Sequence, residues 1–538
     1  MPELDLNGIR DLRDWLEAIK AIDALQPVEG AHWDEEIGAI SDLNYRRTKP
    51  AVMLFDAVPG YPRGFRVLTG SVSDARRTGI TLRLGTDLND ATLVDALRGK
   101  PSEWELAAKA YDPVVVDSAP FLENVQRGDE VDLYKFPVPK WHDRDGGRYI
   151  GTGCMVITSD PETGEINGGS YRMMVQDNGR SATVHAVPGK HGAQHIAKWF
   201  AREGRAPVAV TLGDDPIYLM VGGTEVPTGI SELSYAGAIF GRPVEVLTGP
   251  ETGLPIPASS EIVIEGWLTP DNVRPEGPFG EWTGYYSGSR DPVHTLDIAA
   301  VYHRDNPILL GAPPGKPPHD YSYMRTVMKS AMVFDALVKA GVPGVQGVWA
   351  HESGGGRQLI VVSITQRYAG HSRQAAYIAS QAQAAAYMNR YVIVVDDDID
   401  VTRLDEVMWA MSTRTEPAED IEIMRKTWGS KVDPLLKDHS VPYNSRAIID
   451  ACIPWERRDD FPAVAVAPVE KLTAVRAKWA DVFSDPRFPL SGFGSSSAAS
   501  SPAASSPAAS SSAGSPSAGS PSAGGGTGPV NATTMSDS

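Results

Sequence analysis

Cysteine is nearly absent: Cys154 and Cys452, far apart, are the two in 538 residues. A disulfide framework and a cysteine-based zinc site are thereby excluded. Long apolar runs are missing too, and no stretch reaches the ~18 residues that a membrane span requires. The N-terminus, MPELDLNGIRDLRDW, places acidic residues early and has no apolar signal core, so a cytoplasmic protein is expected. Positive charge is in deficit. Lys and Arg number 50 against 68 Asp and Glu, a net charge of -18, which argues against nucleic acid or an anionic membrane as partner. No Walker loop, GxSxG elbow or HExxH occurs, which leaves nucleotide-loop, serine-hydrolase and zincin chemistry without support.

What is present is a globular composition, at a length that calls for more than one core. Ile9, Leu12, Leu16, Ile19 and Ile22 recur at three- and four-residue spacing and predict an amphipathic helix. From about residue 113 to 312, short stretches rich in Val, Ile and Tyr (CMVITSD, YRMMVQD, VAVTLG, EIVIEGWL, TLDIAAVYHR) alternate with Gly, Pro, Asn and Asp turns and predict strands. After Pro317 the texture changes. A helix is predicted over 324–340, a strand at LIVVSI and an Ala/Gln-rich helix over 372–390. YVIVVDDDID then reads as a strand leading into the helix VTRLDEVMWAM, so a separate α/β domain is expected from about 330 to 460. From Gly494 to Pro529 the chain uses only Gly, Ser, Ala, Pro and Thr. It has neither apolar groups to bury nor charges to pair, and predicts a flexible tether.

Three motifs carry chemistry. In Asn167-Gly-Gly-Ser-Tyr-Arg172, strand alternation sets Arg172, Met174 and Gln176 on one face, and Gly168-Gly169 predicts a turn that brings Asn167 and Arg172 to one site. A polar hairpin with a surface arginine is the alternative. In Arg274-Pro-Glu276-Gly-Pro-Phe-Gly-Glu281, two prolines and two glycines predict a rigid loop holding two carboxylates. If both approach one arginine, their pKa values are driven apart and one can donate a proton near neutral pH. A solvated acidic loop is the competing reading, weakened by the apolar bulk of Phe279, Trp282, Tyr285 and Tyr286. The third group is His191 in Pro188-Gly-Lys190-His191 and Glu232 in Thr228-Gly-Ile-Ser-Glu232. With Asn167 they form an oxygen/nitrogen ligand set that suits Mg²⁺ or Mn²⁺ beside a phosphate, although spacing alone does not join the three. Asp396, Asp397, Asp398 and Asp400 read as a solvated strand end with a helix cap. Gly354-Gly355-Gly356 precedes a strand and so fails as a nucleotide loop.

Together these residues resemble the UbiD family of reversible decarboxylases, which use prenylated FMN. The resemblance runs from about residue 10 to 460. It is carried by Asn167 with Arg172, PGKH, ISELSYAGAI, EIVIEGWL followed by PEGPFGE, and VDDDID followed by VMWAM. It implies an α+β fold. A split β-barrel cofactor domain (113–325) would lie between an N-terminal α/β segment (1–112) and a C-terminal α/β dimerisation domain (326–465). A helical extension (466–493) and the Ser/Ala/Pro/Gly tail (494–538) follow, the tail having no family counterpart.

The resemblance also implies roles. Arg172, Glu276 and Glu281 would form the catalytic network, with Glu281 protonating the adduct after CO₂ leaves. Arg172 would orient Glu281 and grip the substrate carboxylate bidentately, and Glu276 would hold Arg172 in place. Asn167, His191 and Glu232 would bind Mn²⁺ or Mg²⁺ at the cofactor phosphate, with K⁺ as a further ion. Other cofactor contacts would come from Gly168, Gly169, Ser170, Tyr171, Lys190, Gly222, Gly223, Thr224 and Glu225. Lys190 stands where cinnamate-type members carry Gln, and Tyr321, Tyr323 and Arg325 bring polarity where those members are less polar. Lys190, Tyr321 and Arg325 are thus candidate substrate-pocket residues. The expected function is a (de)carboxylase of an aromatic, heteroaromatic or α,β-unsaturated acid, a homodimer or larger assembly supplied by a flavin prenyltransferase. A flavin oxidoreductase and a non-catalytic assembly subunit are the alternatives.

Overall fold

The computed structural model describes residues 4–484 apart from 177–178, 225, 228, 288–290 and 437–440. Glu225 and the tail from 494 therefore lie outside the described residues. Three larger sheets organise the rest, beside three sheets of two or three strands, and among the described residues no helix is long and apolar enough to cross a membrane.

The first sheet runs Leu25–Glu29, Val52–Asp56, Arg66–Thr69 and Ile308–Leu310. Its last strand comes from far along the sequence and pairs in parallel with Arg66–Leu68. The predicted N-terminal helix forms as Leu12–Ala21, capped by the Asp11 side chain accepting from the Asp14 N–H. Its apolar stripe packs on Val52, Leu68, Ile308 and Leu310. Strand alternation sends Met53, Phe55 and Val67 to the opposite face, where they meet Trp141, Tyr149, Met174 and Phe279. That second face is the floor of the site described below.

The central sheet is antiparallel throughout, in the order Ser181–Thr183, Asp291–His303, Ile262–Leu268, Ala206–Leu212, Cys154–Ser159, Ile166–Gly169. Asn124–Arg127 and Val273–Glu276 also pair with the long strand Asp291–His303. Both faces are buried, which is why its central strand, Ala206–Leu212, is buried at every position. Val156, Val208, Val210 and Ile264 face one core, beside the helix His191–Glu203; Met155, Ile157, Ala209 and Val263 face the other, beside Ile217–Gly222 and Glu232–Phe240.

The third sheet runs Val345–Ala350, Leu359–Ile364, Tyr391–Asp396, Tyr443–Ala451, Ile421–Trp428, with its three inner strands parallel. Asp320–Lys339 and His371–Gln381 cover one face through Val333, Leu337, Ala375 and Ala379. Leu404–Arg414 covers the other through Val407 and Ala410. The helix expected over 372–390 stops at Gln381, with a separate turn at Gln383–Ala386. The aspartates after Tyr391–Val395 are not simply a solvated strand end. Arg414 pairs with Asp396 (3.3 Å) and Asp398 (2.6 Å), Gln366 and the Ile453 N–H donate to Asp396, and Asp400 caps the turn at Thr402.

Candidate active site

Four short elements bring their side chains to one point. Tyr149 opens the strand Tyr149–Gly151, which pairs with Met173–Met174, and Arg172 stands just before that partner. Glu276 ends Val273–Glu276. Glu281 follows Phe279–Gly280, whose hairpin partner is Tyr286–Ser287. The expected PEGPFGE loop is thus two strand ends around a corner at Gly277. There φ is +93°, and the carbonyl packs so closely on Gly146 that a Cβ on Gly146 would lie 2.0 Å from it.

Arg172 joins the two acids. Its Nε donates to Glu276 Oε1 (2.9 Å) and its Nη2 to Glu276 Oε2 (2.8 Å), while Nη1 donates to Glu281 Oε1. The Nε/Nη2 fork is spent on Glu276, and what remains for an incoming carboxylate is one N–H each on Nη1 and Nη2. Tyr149 Oη also donates to Glu276 Oε1 (2.9 Å), and His185 Nδ1 lies 3.2 Å from Oε2. Burial alone would raise the Glu276 pKa, but the His185 hydrogen bond and the Arg172 charge and hydrogen bonds outweigh it and hold the carboxyl at about 2. Burial likewise opposes the Arg172 charge, and Glu281 and Glu276 overcome it, so the guanidinium stays ionised. Glu281 accepts a second hydrogen bond from Ser287 Oγ (2.7 Å). The Phe279 ring lies 5.3 Å from the guanidinium carbon and stacks 4.1 Å from Tyr149. Phe279 and Trp282 are buried as expected, whereas Tyr285 (62%) and Tyr286 (39%) are exposed and do not enclose the acids.

Asn167, Gly168 and Gly169 form part of the strand Ile166–Gly169 instead of the expected turn. The two glycines give clearance: a Cβ at Gly168 would lie 2.6 Å from Met155 Sδ, and one at Gly169 would lie 2.4 Å from the Tyr171 ring. Arg172 lies beyond that strand and before the next, so strand alternation does not set its direction. Ser170 binds the Gly222 carbonyl through its N–H (3.0 Å), joining the Asn167 segment to the Gly222-Gly223 turn, and Thr224 Oγ1 donates to the Met220 carbonyl. Asn167 Nδ2 contacts the Tyr171 hydroxyl (3.3 Å), which lies against Gly192 beside His191 at the start of its helix. Glu232, buried, accepts from the Gly168 N–H (2.8 Å), and burial pushes its pKa up to about 7. No cluster of three His, Cys, Asp or Glu side chains that could hold a metal occurs among the described residues.

Beyond Glu281 the cations and aromatic rings interleave. Arg325 lies over Trp282 (5.3 Å) and Tyr321 (5.0 Å), Arg357 over Trp282 (5.9 Å) and Tyr387 (5.2 Å), and Lys190 over Tyr387 (5.9 Å). Burial raises the Tyr321 pKa to about 12, with Ser170 opposing the rise. Asp320 is no partner for Arg325: its carboxylate accepts from Tyr45 Oη and from the N–H groups of Gly70 and Val72.

Residues 114–317 match the 3-octaprenyl-4-hydroxybenzoate carboxy-lyase Rift-related domain of UbiD, and 322–451 match its C-terminal domain. The chain belongs to the UbiD family. A pyrrole-2-carboxylic acid decarboxylase of Pseudomonas aeruginosa is 33% identical over 398 residues, covering 72% of this chain and 79% of that protein. A phenolic acid decarboxylase of Streptomyces sp. is 33% identical over 346 residues, 63% of this chain and 70% of that one. The UbiD-class enzyme HmfF from Pelotomaculum thermopropionicum, solved in complex with FMN, matches with a TM-score of 0.76 at 26% identity, over 86% of this chain and 98% of that chain. UbiD enzymes are carboxy-lyases, and this chain is one.

The residues expected at a cofactor phosphate, Asn167, His191 and Glu232, are of types that suit a phosphate-bound cation. Glu232 is a buried carboxyl with no side-chain cation paired to it among the described residues, and its donor set with Asn167 and His191 is all oxygen and nitrogen. Gly168, Gly169 and Gly222 leave room where a Cβ would collide. Sequence reasoning missed His185, Tyr149, Ser287, Arg357 and Tyr387. Each is a single residue on its own segment, and no spacing rule links them to the motifs.

Proposed function

We propose that the protein is a prenylated-FMN-dependent decarboxylase of an aromatic or heteroaromatic acid that carries a second polar or anionic group. The observation that carries this reading is the Arg172 fork on Glu276 with Nη1 on Glu281, which joins two chain segments about a hundred residues apart. Loss of CO₂ from an unsaturated carbon leaves an electron pair that no side chain accepts, and the modified flavin supplies that sink when bound. Asn167, His191 and Glu232 would hold its Mn²⁺ or Mg²⁺, with K⁺ as a further ion, and Gly168–Ser170 with Gly222-Gly223 would contact it. In this reading the antiparallel central sheet is the split barrel of the cofactor domain.

The remaining chemistry belongs to this chain's residues. Glu276, kept ionised by four donors, anchors Arg172 and takes no proton. Arg172 presents its Nη edge towards the reacting carboxylate and keeps Glu281 aimed at the carbon that loses CO₂. Glu281 delivers the proton to that carbon. Phe279, Trp282 and Tyr149 keep water from the cluster.

The acid's second group is read from Arg325, Arg357 and Lys190, which converge through Trp282 and Tyr387 on the far side of Glu281. Relatives named for pyrrole-2-carboxylic acid and phenolic acids support a ring bearing a polar atom. A C-terminal α/β dimer and a flavin prenyltransferase as cofactor source complete the reading. The test is co-expression with a flavin prenyltransferase followed by a screen of ring monoacids, hydroxy acids and diacids for CO₂ release. Turnover confined to plain cinnamate-type acids overturns the polar substrate, and no CO₂ from any acid by the loaded protein overturns the decarboxylase.

A further inference from the structure

Two of the four donors on Glu276 are the Arg172 fork, a third is Tyr149, and the fourth is His185. His185 follows the strand Ser181–Thr183, and its backbone N–H donates to the Arg172 carbonyl (3.1 Å). Its side chain returns to the same pair. Nδ1 lies 3.2 Å from Glu276 Oε2 and 3.4 Å from Arg172 Nη2. One residue therefore ties down both the main chain of Arg172 and the carboxylate that Arg172 grips.

The direction of that hydrogen bond follows from its neighbours. A bare Nδ1 could accept from Arg172 Nη2 (3.4 Å), but the nearer contact is the anionic Glu276 Oε2 (3.2 Å), which only a hydrogen on Nδ1 satisfies. An unprotonated Nδ1 would face the carboxylate lone pair to lone pair. Each oxygen of Glu276 then has one arginine N–H and one further donor: Tyr149 on Oε1, His185 on Oε2. Donors on both oxygens fix the plane of the carboxylate, and the two-point contact passes that plane on to the guanidinium.

We propose that His185 is a positioning residue for the decarboxylation: through Glu276 it holds the Arg172 guanidinium in the plane that aims Nη1 at Glu281. This rests on the decarboxylase reading above. Loss of aim by an ångström costs on the order of 100-fold in a positioned reaction. In the cofactor-loaded enzyme, His185→Ala is expected to lower kcat about 10- to 100-fold, with KM for the acid and the cofactor absorbance little changed. His185→Asn, whose amide nitrogen overlays Nδ1, is expected to recover most of the loss; His185→Gln, whose nitrogen overlays Nε2, is not. Combined with Glu276→Gln, His185→Ala should add nothing, because its effect passes through Glu276. A merely structural histidine would instead lower the melting temperature, show no difference between Asn and Gln, and multiply with Glu276→Gln. A kcat for His185→Ala within about twofold of wild type, equal rates for the Asn and Gln variants, or multiplying effects overturns the proposal. Should His185→Ala fail to fold, the Asn–Gln comparison decides. A second measurement needs no turnover. ¹⁵N NMR of the apoprotein imidazoles, with His185→Asn for assignment, should report a hydrogen on Nδ1, and a bare Nδ1 overturns the proposal. If the loaded wild type decarboxylates no acid, the functional reading falls while the NMR still decides the contact.

Discussion

Glu276 and Glu281 touch the same guanidinium, yet the geometry gives them different work. Glu276 accepts three hydrogen bonds, has His185 Nδ1 3.2 Å from Oε2, and is held at about 2. To donate a proton at pH 7 it must first be protonated about 5 units above that value, a cost of about 7 kcal/mol at about 1.36 kcal/mol per unit. A positioned general acid returns about 10²–10⁴ in rate, or about 3–5 kcal/mol. The cost exceeds the return, which is why the proposed donor is Glu281, which accepts only from Arg172 and Ser287 among the described residues. Glu281→Gln keeps the size and the hydrogen-bonding capacity but removes the transferable proton. It should lower turnover by about 10²–10⁴ and stop the exchange of solvent deuterium into the carbon that loses CO₂, with the cofactor still bound. Glu276→Gln should also slow turnover, by loosening Arg172, but should leave that exchange measurable. The assay is deuterium content of product incubated with enzyme in D₂O, followed by NMR. Exchange surviving in Glu281→Gln and lost in Glu276→Gln would refute the assignment.

Glu232→Ala should lose metal by elemental analysis and flavin by absorbance together, because an uncompensated phosphate opposes cofactor binding. Glu276, depressed from 4.5 to about 2, contributes stability that is complete above pH 4.5 and is lost as pH falls towards 2. The stability gap between wild type and Glu276→Gln in urea should therefore narrow by about 3 kcal/mol between pH 6 and pH 2; a pH-independent gap refutes the pairing. Arg325→Leu should cut kcat/KM for a ring diacid or hydroxy acid about 10- to 100-fold while sparing the monoacid, the worth of one charge-assisted hydrogen bond. Ending the chain at residue 493 should leave melting temperature and turnover unchanged, since the tail's Gly/Ser/Ala/Pro composition buries almost nothing; a large drop in either counts against it.

Legibility in the sequence followed the range of the interactions. The helix Leu12–Ala21 and the strands Leu359–Ile364 and Tyr391–Asp396 were readable because periodicity and apolar runs are local. The two acids of the PEGPFGE segment were readable as a pair for the same reason. Ile308–Leu310 was not: three apolar residues state no partner, and only the fold places them beside Arg66–Leu68. Gly168-Gly169 misled, because glycine that makes room for Met155 and Tyr171 looks in sequence like glycine that makes a turn. Tyr285 and Tyr286 misled in the other direction: apolar bulk next to an acid in sequence lies, in the hairpin, on its outer side. His185 and Tyr149 complete Glu276 from segments that no motif connects, and they became visible only through distance.

The placement of the site follows from which surfaces the three sheets leave for one another. The second face of the first sheet supports Tyr149 and Phe279 through Met53, Phe55 and Val67, so the ionic cluster rests on a core built far from it in sequence. The central sheet supplies Glu276 through a strand paired to Asp291–His303, and the segment carrying Arg172 pairs separately with Tyr149–Gly151. One turn of the third sheet packs directly against the site. Gly355, at φ +64°, lies so close to Trp282 that a Cβ there would stand 2.4 Å from the indole, and Gly356 packs in the same way on Arg325 and Thr326. Trp282 directly follows Glu281, and Arg325 and Arg357 lie over its ring. The proton-donor hairpin and the cations that would meet the substrate are therefore seated against the same turn of the C-terminal sheet. The anchor of Arg172 belongs to the other two sheets. Changes in that turn should accordingly alter which acid is accepted and how Glu281 is presented, while the Arg172–Glu276 pair, buried on a separate core, keeps its geometry.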